Sequence, residues 1–225
     1  DLDGTLVRAG GAGRKALNRA VLRLYGVREV CSRFSLTGRM DRQNFDLAVR
    51  AAAGRRPSPG EVGRVEAAYL KLLPSEVRRA VRSRRYAQVP GCARLVKALD
   101  RGPGVWVGLG TGNVREGARI KLAPSGLLRY FRFGGFGKDG GSRAQMLRTA
   151  VRRASRLCGS RVRPRDVFVI GDTPRDVIAG RRAGYRTGAV TGGYGDAAEI
   201  RRARPHFSRP DFRDLKAWLR WLGVK

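Results

Sequence analysis

Three short runs of apolar and β-branched residues, each bounded by glycine, predict buried strands in the second half of the chain. These runs are GVWVGLG (104–110), DVFVIG (166–171) and TGAVTG (187–192). In the intervening segments apolar residues recur at steps of three and four, which predicts helices over 114–127, 142–157 and 174–184. Strands that alternate with helices predict an α/β fold with a Rossmann-like, doubly wound parallel sheet.

Residues 9–89 have a different pattern and contain no strand-like run. Four amphipathic helices are predicted there, over 15–27, 42–54, 59–73 and 75–86. We therefore expect an all-helical domain of residues 9–89, inserted into a sheet domain formed by residues 1–8 and 90–225. A last amphipathic helix, DFRDLKAWLRWL (211–222), is expected to pack Trp218 against the sheet.

The net charge of +30 suggests a polyanionic partner, but the way the charge is carried argues against a designed site. Of 48 basic residues only seven are Lys, and the Arg residues are spread over almost every segment. The densest stretch, residues 152–165, has no aromatic side chain on which a base would stack. We attribute the charge to composition and expect no specific nucleic-acid partner, only weak, salt-sensitive binding of RNA.

Other features restrict the class of protein further. No apolar run approaches the roughly 18 residues of a membrane span, so no membrane association is expected. Cys31, Cys92 and Cys158 fit neither a disulfide framework nor a zinc spacing, which predicts reduced thiols in a cytoplasmic protein. The only histidine, His206, lies far from the polar motifs, which argues against chemistry based on a Ser–His pair.

Polar clusters follow the strands at the points where ligands bind in an open parallel sheet. They read DLDGT (1–5), TGN (111–113) and GDTPRD (171–176). Their convergence would bring together four carboxylates, with Thr111 and Lys121 nearby; the four are Asp1, Asp3, Asp172 and Asp176. Such a group needs a cation, and carboxylate oxygens suit Mg²⁺, which also binds substrate phosphate.

With these motifs in this order, the sequence resembles the haloacid dehalogenase superfamily, in its phosphoglycolate-phosphatase-like branch. The resemblance implies that Asp1 is the nucleophile and forms an aspartyl-phosphate, and that Asp3 is the general acid and base. It implies that Thr5 orients Asp3, and that Thr111 with the amides of Gly112 and Asn113 binds the phosphoryl group. It also implies Mg²⁺ held by the Asp1 carboxylate, the Asp3 carbonyl, Asp172 and Asp176.

The sequence departs from the family at the phosphate-neutralising lysine, because residues 137–145 contain no Lys-Pro pair. Lys121 is our first choice for this cation, with Lys138 and Arg143 as alternatives. The helical insert resembles the family's cap domain, which closes over the substrate. Within it we expect the stretch 36–45 to contact substrate, with Arg39 or Arg42 pairing with a second anionic group.

The predicted function is therefore Mg²⁺-dependent hydrolysis of a small phosphorylated metabolite, by a monomer or a homodimer. Phosphoglycolate, sugar phosphates and nucleotides stay open as substrates. A phosphomutase or a dehalogenase of the same superfamily is the enzymatic alternative, and an Arg-rich nucleic-acid-binding protein is the non-enzymatic one. No strand of about five residues precedes Asp1. We therefore expect a sequence cut inside its first strand, whose fold and activity an added apolar lead would restore.

Overall fold

The computed structural model describes residues 1–224, which form seven short strands and nine α-helices. The strands are β1 (Val7–Ala9), β2 (Tyr86–Gln88), β3 (Gly108–Gly110), β4 (Phe133–Gly135), β5 (Phe168–Gly171), β6 (Arg186–Val190) and β7 (Phe207–Arg209). The helices are α1 (Ala12–Tyr25), α2 (Asp41–Ala53), α3 (Pro59–Arg82), α4 (Cys92–Arg101), α5 (Arg115–Leu122), α6 (Arg143–Leu157), α7 (Pro174–Arg182), α8 (Ala197–Arg202) and α9 (Leu215–Leu222).

The strands of the second half pair in parallel, as predicted. β3 pairs with β4, and β5, β6 and β7 form a three-stranded sheet in that order. Helices connect the successive strands, with α5 between β3 and β4 and α6 between β4 and β5. The backbone nitrogen of Asp1 donates a 2.6 Å hydrogen bond to the carbonyl of Ile170, which places Asp1 beside β5. The predicted Rossmann-like α/β arrangement is confirmed.

Two sequence expectations for the helical segment were wrong. It was expected to contain no strand, but β2 lies at its end and pairs antiparallel with β1, with Val7 opposite Gln88. The three residues of β2 are Tyr, Ala and Gln, which carry no apolar run and too little periodicity to be detected. The two helices predicted over 59–73 and 75–86 form the single helix α3, which continues through Pro74. Its buried face runs across the proline from Leu73 to Val77, and this packing offsets the lost backbone hydrogen bond.

Helices α1, α2 and α3 pack around a core of their own, which we call the helical unit. Phe45 of α2 and Tyr69 of α3 meet there with ring centroids 5.2 Å apart. A second core lies on the sheet, where Trp218 of α9 is fully buried against Phe207. The predicted packing of Trp218 is confirmed.

The remaining expectations concern features outside the polar motifs. None of the helices in residues 1–224 combines the length and the apolar character that a membrane crossing requires. Cys31, Cys92 and Cys158 are free thiols. Nδ1 of His206 accepts a 3.0 Å hydrogen bond from the backbone nitrogen of Thr187, so this histidine belongs to the edge of the sheet.

Candidate active site

A cavity of about 260 Å³ lies between the helical unit and the carboxyl ends of the strands. Nine residues named from the sequence line it, namely Asp1, Asp3, Arg39, Thr111, Gly112, Asn113, Lys121, Arg143 and Asp172. Asp176 is buried behind this wall. Arg42 is exposed and is not among the lining residues. The structure therefore gathers the three polar motifs into one place.

The turn after Asp3 depends on a glycine. Gly4 has a φ of +79°, and its nitrogen donates a 2.9 Å hydrogen bond to the carbonyl of Val7. A Cβ at this position would lie 2.0 Å from Oδ2 of Asp172. Only glycine supplies both this backbone conformation and the close approach of the first motif to Asp172.

The carboxylate of Asp3 is held by two side chains from the other side of the cavity. Its Oδ2 lies 2.8 Å from Nδ2 of Asn113 and 2.8 Å from Nζ of Lys121. Nζ of Lys121 also donates a 2.6 Å hydrogen bond to Oδ1 of Asn113. Burial disfavours the Lys121 ammonium, but Asp3 and the adjacent Tyr69 more than compensate and raise its pKa above the ordinary value. Lys121 is therefore a buried cation that binds both Asp3 and Asn113.

A second cation, Arg143, lies at the carboxylate of Asp1. Nη2 of Arg143 is 2.9 Å from Oδ2 of Asp1 and 2.5 Å from Oδ1 of Asp176. These contacts are ionic, because the N–H groups of this buried nitrogen do not point directly at either oxygen. Lys138, the other alternative from the sequence, instead forms a 2.7 Å ion pair with Glu66 of α3.

Asp1, Asp172 and Asp176 form a cluster that fits a divalent cation. Carboxylate oxygens from the three residues lie within 4.8 Å of one another, and oxygen is the donor type that Mg²⁺ prefers. Burial, with the neighbouring Asp176 charge, raises the pKa of Asp172 to about 6. Such a group gains from a cation, which stabilises its charged form. At Asp3 the metal ligand expected from the sequence is the main-chain carbonyl. This expectation is compatible with the contact between the Asp3 carboxylate and Lys121.

The structure corrects the role expected for Thr5. Its hydroxyl donates a 3.3 Å hydrogen bond to Oδ1 of Asp172, not to Asp3. Oδ2 of Asp172 accepts a second hydrogen bond, of 2.7 Å, from the backbone nitrogen of Tyr194. Thr5 therefore positions a member of the carboxylate cluster, because the turn at Gly4 points it toward the loop after β5.

Thr111 and its neighbours form the opposite wall. Oγ1 of the buried Thr111 accepts hydrogen bonds from the backbone nitrogen of Asn113, at 3.3 Å, and from its Nδ2, at 2.8 Å. Both contacts use the oxygen as acceptor, so the O–H hydrogen stays available as a donor. Gly112 packs against the backbone of Arg39, where a Cβ would lie 2.6 Å from the Arg39 carbonyl.

Sequence reasoning missed three residues that the helical unit contributes, namely Asp41, Asn44 and Tyr69. Oδ2 of Asp41 accepts a 3.0 Å hydrogen bond from the nitrogen of Val114 at the start of α5. Burial raises the pKa of Asp41 to about 6, against the opposing effects of Lys121 and this hydrogen bond. Asp41 and Asn44 fall inside the stretch 36–45, which was expected to contact substrate, although neither residue was named. Tyr69 lies in the helix predicted over 59–73, where the sequence indicates only an apolar helix face.

The fold and the site define an α/β protein whose paired aspartates lie at the carboxyl edge of a parallel sheet, and sequence comparison identifies the family. The chain matches the profile of the haloacid dehalogenase-like hydrolases over residues 1–184 and belongs to that family. By sequence, no curated protein matches the chain.

Solved structures share this fold at low sequence identity. A hydrolase from Pseudomonas syringae has 19% identity and a TM-score of 0.71, over 97% of this chain and 95% of its own. A predicted phosphoglycolate phosphatase from Haemophilus somnus 129pt has 19% identity and a TM-score of 0.71, over 96% and 94%. A predicted beta-phosphoglucomutase from Bacteroides vulgatus has 15% identity and a TM-score of 0.67, over 98% and 86%.

Proposed function

We propose that this chain is a Mg²⁺-dependent phosphatase that hydrolyses small phosphomonoesters through an aspartyl-phosphate. The observation that carries this proposal is the separation of charge in the cleft. Asp1 has Arg143 as its cation, and Asp3 has Lys121. Two aspartates of one motif therefore lie in different electrostatic environments. Such a difference allows one carboxylate to act as nucleophile and the other as acid and base.

In the first step, an oxygen of Asp1 attacks phosphorus, and the bond from phosphorus to the ester oxygen breaks. Asp3, in its protonated form, gives its proton to the departing oxygen. Asn113 and Lys121 hold the Asp3 carboxyl group in place for this transfer. The O–H of Thr111 and the cation of Arg143 stabilise the charge on the transferring phosphoryl group.

In the second step, the carboxylate of Asp3 takes a proton from water, whose oxygen attacks the phosphorus of the aspartyl-phosphate. The acyl–phosphate bond then breaks and restores the carboxylate of Asp1. Mg²⁺ would be held by Asp1, Asp172, Asp176 and the Asp3 carbonyl, and supplies charge neutralisation for the phosphate when bound.

The helical unit acts in this proposal as the cap. Asp41 is anchored to the start of α5, and its backbone nitrogen donates a 2.7 Å hydrogen bond to the carbonyl of Gly112. These contacts support a closed arrangement that excludes water from the reacting groups. Arg39 lines the cavity from this side and is our proposed substrate contact from the helical unit.

Turnover of p-nitrophenyl phosphate in the presence of Mg²⁺ tests the proposal. Asp1→Asn should abolish activity, and Asp3→Asn should lower kcat by at least ~100-fold, the usual size of general acid–base catalysis. Asp46→Asn, on the outside of α2, serves as the control and should retain activity. Near-normal turnover in either of the first two variants would show that the roles are wrongly assigned.

A further inference from the structure

Asn44 carries an unpartnered polar atom in the wall of the cavity. The residue is 6% exposed and lines the cavity from the first turn of α2. Its Oδ1 is buried and accepts no hydrogen bond from any of the residues 1–224. Leaving a buried acceptor unpaired is costly, and folded proteins satisfy nearly all such groups. An unpaired amide at a cavity therefore points to a ligand.

The helical unit satisfies a comparable amide elsewhere. Asn18 of α1 is also buried, at 7% exposure, but it lies outside the cavity. Its Nδ2 donates a 2.7 Å hydrogen bond to Oε2 of Glu29, and its Oδ1 accepts a 2.9 Å hydrogen bond from the nitrogen of Cys31. The two asparagines have similar burial, but only Asn18 forms hydrogen bonds with its amide group. Asn18 therefore has a structural role, whereas the Oδ1 of Asn44 is available to a ligand.

The surroundings of Asn44 indicate what that ligand offers. Leu17, Leu36 and Phe45 form the apolar part of the same wall. Its cations, Arg14 and Arg39, donate to main-chain carbonyls of Cys31, at 2.8 Å, and Ser35, at 3.0 Å. The helical unit thus lines the cavity with two guanidinium groups against the single carboxylate of Asp41, a net positive charge that disfavours an ammonium group and favours a neutral donor at Asn44.

We propose that Asn44 is a specificity-determining residue that binds a hydroxyl group of the substrate's leaving group. The substrate class is then a small phosphate ester of a polyol or sugar. This inference rests on the proposed function, which places the phosphate at Asp1 and hence the leaving group toward the helical unit. The cavity volume of about 260 Å³ lies below the range of about 300–1,000 Å³ that drug-sized ligands occupy, which favours a leaving group of few atoms.

The test compares glycerol 1-phosphate with n-propyl phosphate, which has the same carbon chain without the hydroxyl groups. The wild-type protein should prefer glycerol 1-phosphate in kcat/KM by about 10- to 100-fold, as expected for a site whose polar group is left unpaired by the analogue. Asn44→Leu should lower this ratio to within about threefold of unity. Asn18→Leu is the matched control and should keep the wild-type ratio.

Thermal unfolding separates a ligand contact from a structural one. Asn44→Leu should keep or raise the Tm, because it removes an unpaired polar atom, whereas Asn18→Leu should lower it by removing two hydrogen bonds. The inference is overturned if wild type hydrolyses both esters with equal kcat/KM. It is also overturned if Asn44→Leu lowers both activities equally, or lowers the Tm as Asn18→Leu does.

Binding to the Asp1→Asn variant distinguishes this inference from the proposed function. Calorimetric titration with the two esters measures the preference without turnover, before and after adding Asn44→Leu to that variant. A preference for glycerol 1-phosphate that is lost with Asn44→Leu supports the inference even if wild type hydrolyses no phosphate, in which case the proposed function fails by itself. Equal affinity for both esters overturns the inference whatever the turnover.

Discussion

Nζ of Lys121 lies 2.8 Å from Oδ2 of Asp3. From the sequence, this lysine was the first choice for neutralising the phosphate and the nucleophile. Its ammonium group also donates a hydrogen bond to Asn113 and lies beside Tyr69. The cation beside Asp1, the proposed nucleophile, is Arg143. The two aspartates of the first motif therefore contact different cations, Arg143 at Asp1 and Lys121 at Asp3.

Replacing Lys121 should disable the acid–base group. Lys121→Met leaves the Asp3 carboxylate without its cation. It also removes the hydrogen bond that Oδ1 of Asn113 accepts from Lys121. We expect kcat for p-nitrophenyl phosphate to fall by at least ~100-fold. Lys138→Met is the matched control, because its ion pair with Glu66 involves a largely exposed ammonium group and contributes little to stability. A larger loss in Lys138→Met than in Lys121→Met would contradict the assignment.

Replacing Arg143 should separate metal binding from turnover. Arg143→Met removes a positive charge beside Asp1 and Asp176, so a divalent cation meets less repulsion there. Calorimetric titration should show Mg²⁺ binding about tenfold more tightly, while kcat falls by at least ~100-fold. Arg153→Met, on the same helix but paired with Asp139, is the control. An unchanged Mg²⁺ affinity in Arg143→Met would mean that its charge does not act on the cluster.

The raised pKa of Asp41 predicts a pH-dependent effect on stability. Its pKa is about 6 in the folded protein, against an ordinary value of 3.8, so the folded state holds this proton more tightly. The stabilisation by the proton is complete below about pH 4 and is lost as the pH rises through about 6.

Asp41→Asn, which cannot ionise and can still accept from Val114, should therefore raise the free energy of unfolding at pH 7.5 by up to about 3 kcal/mol. At pH 4 the gain should vanish. Urea unfolding at both pH values measures this, with Asp46→Asn of the same helix as the control. A gain of equal size at pH 4 would exclude ionisation of Asp41 as the cause.

The charge of +30 predicts RNA binding of a particular kind. If the charge is compositional, affinity should be independent of RNA sequence and should fall steeply between 50 and 200 mM salt, roughly as counterion release requires. Fluorescence anisotropy with two unrelated RNAs over this range measures both properties. Nanomolar binding of one RNA alone at physiological salt would contradict the compositional explanation.

Local sequence was sufficient to predict the strands and helices whose formation depends on a local pattern of apolar residues. Alternating runs of β-branched and helix-periodic residues predicted β3, β5 and β6 with the helices between them. Because parallel strands place their carboxyl ends at one edge, the positions of Asp1, Asp3, Thr111 and Asp172 followed from the order of the motifs. β1, β2, β4 and β7 escaped detection, since these three-residue strands lack an apolar run like the one that leads into the equally short β3, and they owe their strand geometry to pairing partners.

What the sequence by itself determined was therefore the fold class and the set of polar motifs that meet at the edge of the sheet. Only the tertiary structure decided which cation pairs with which carboxylate. Lys121 and Asp3 are 118 positions apart, and no local pattern around either residue indicates the other as its partner. The same holds for Arg143 at Asp1, where α6 begins at the edge of the sheet. It also holds for Asn44, whose unpaired amide exists only because the helical unit packs over the cavity.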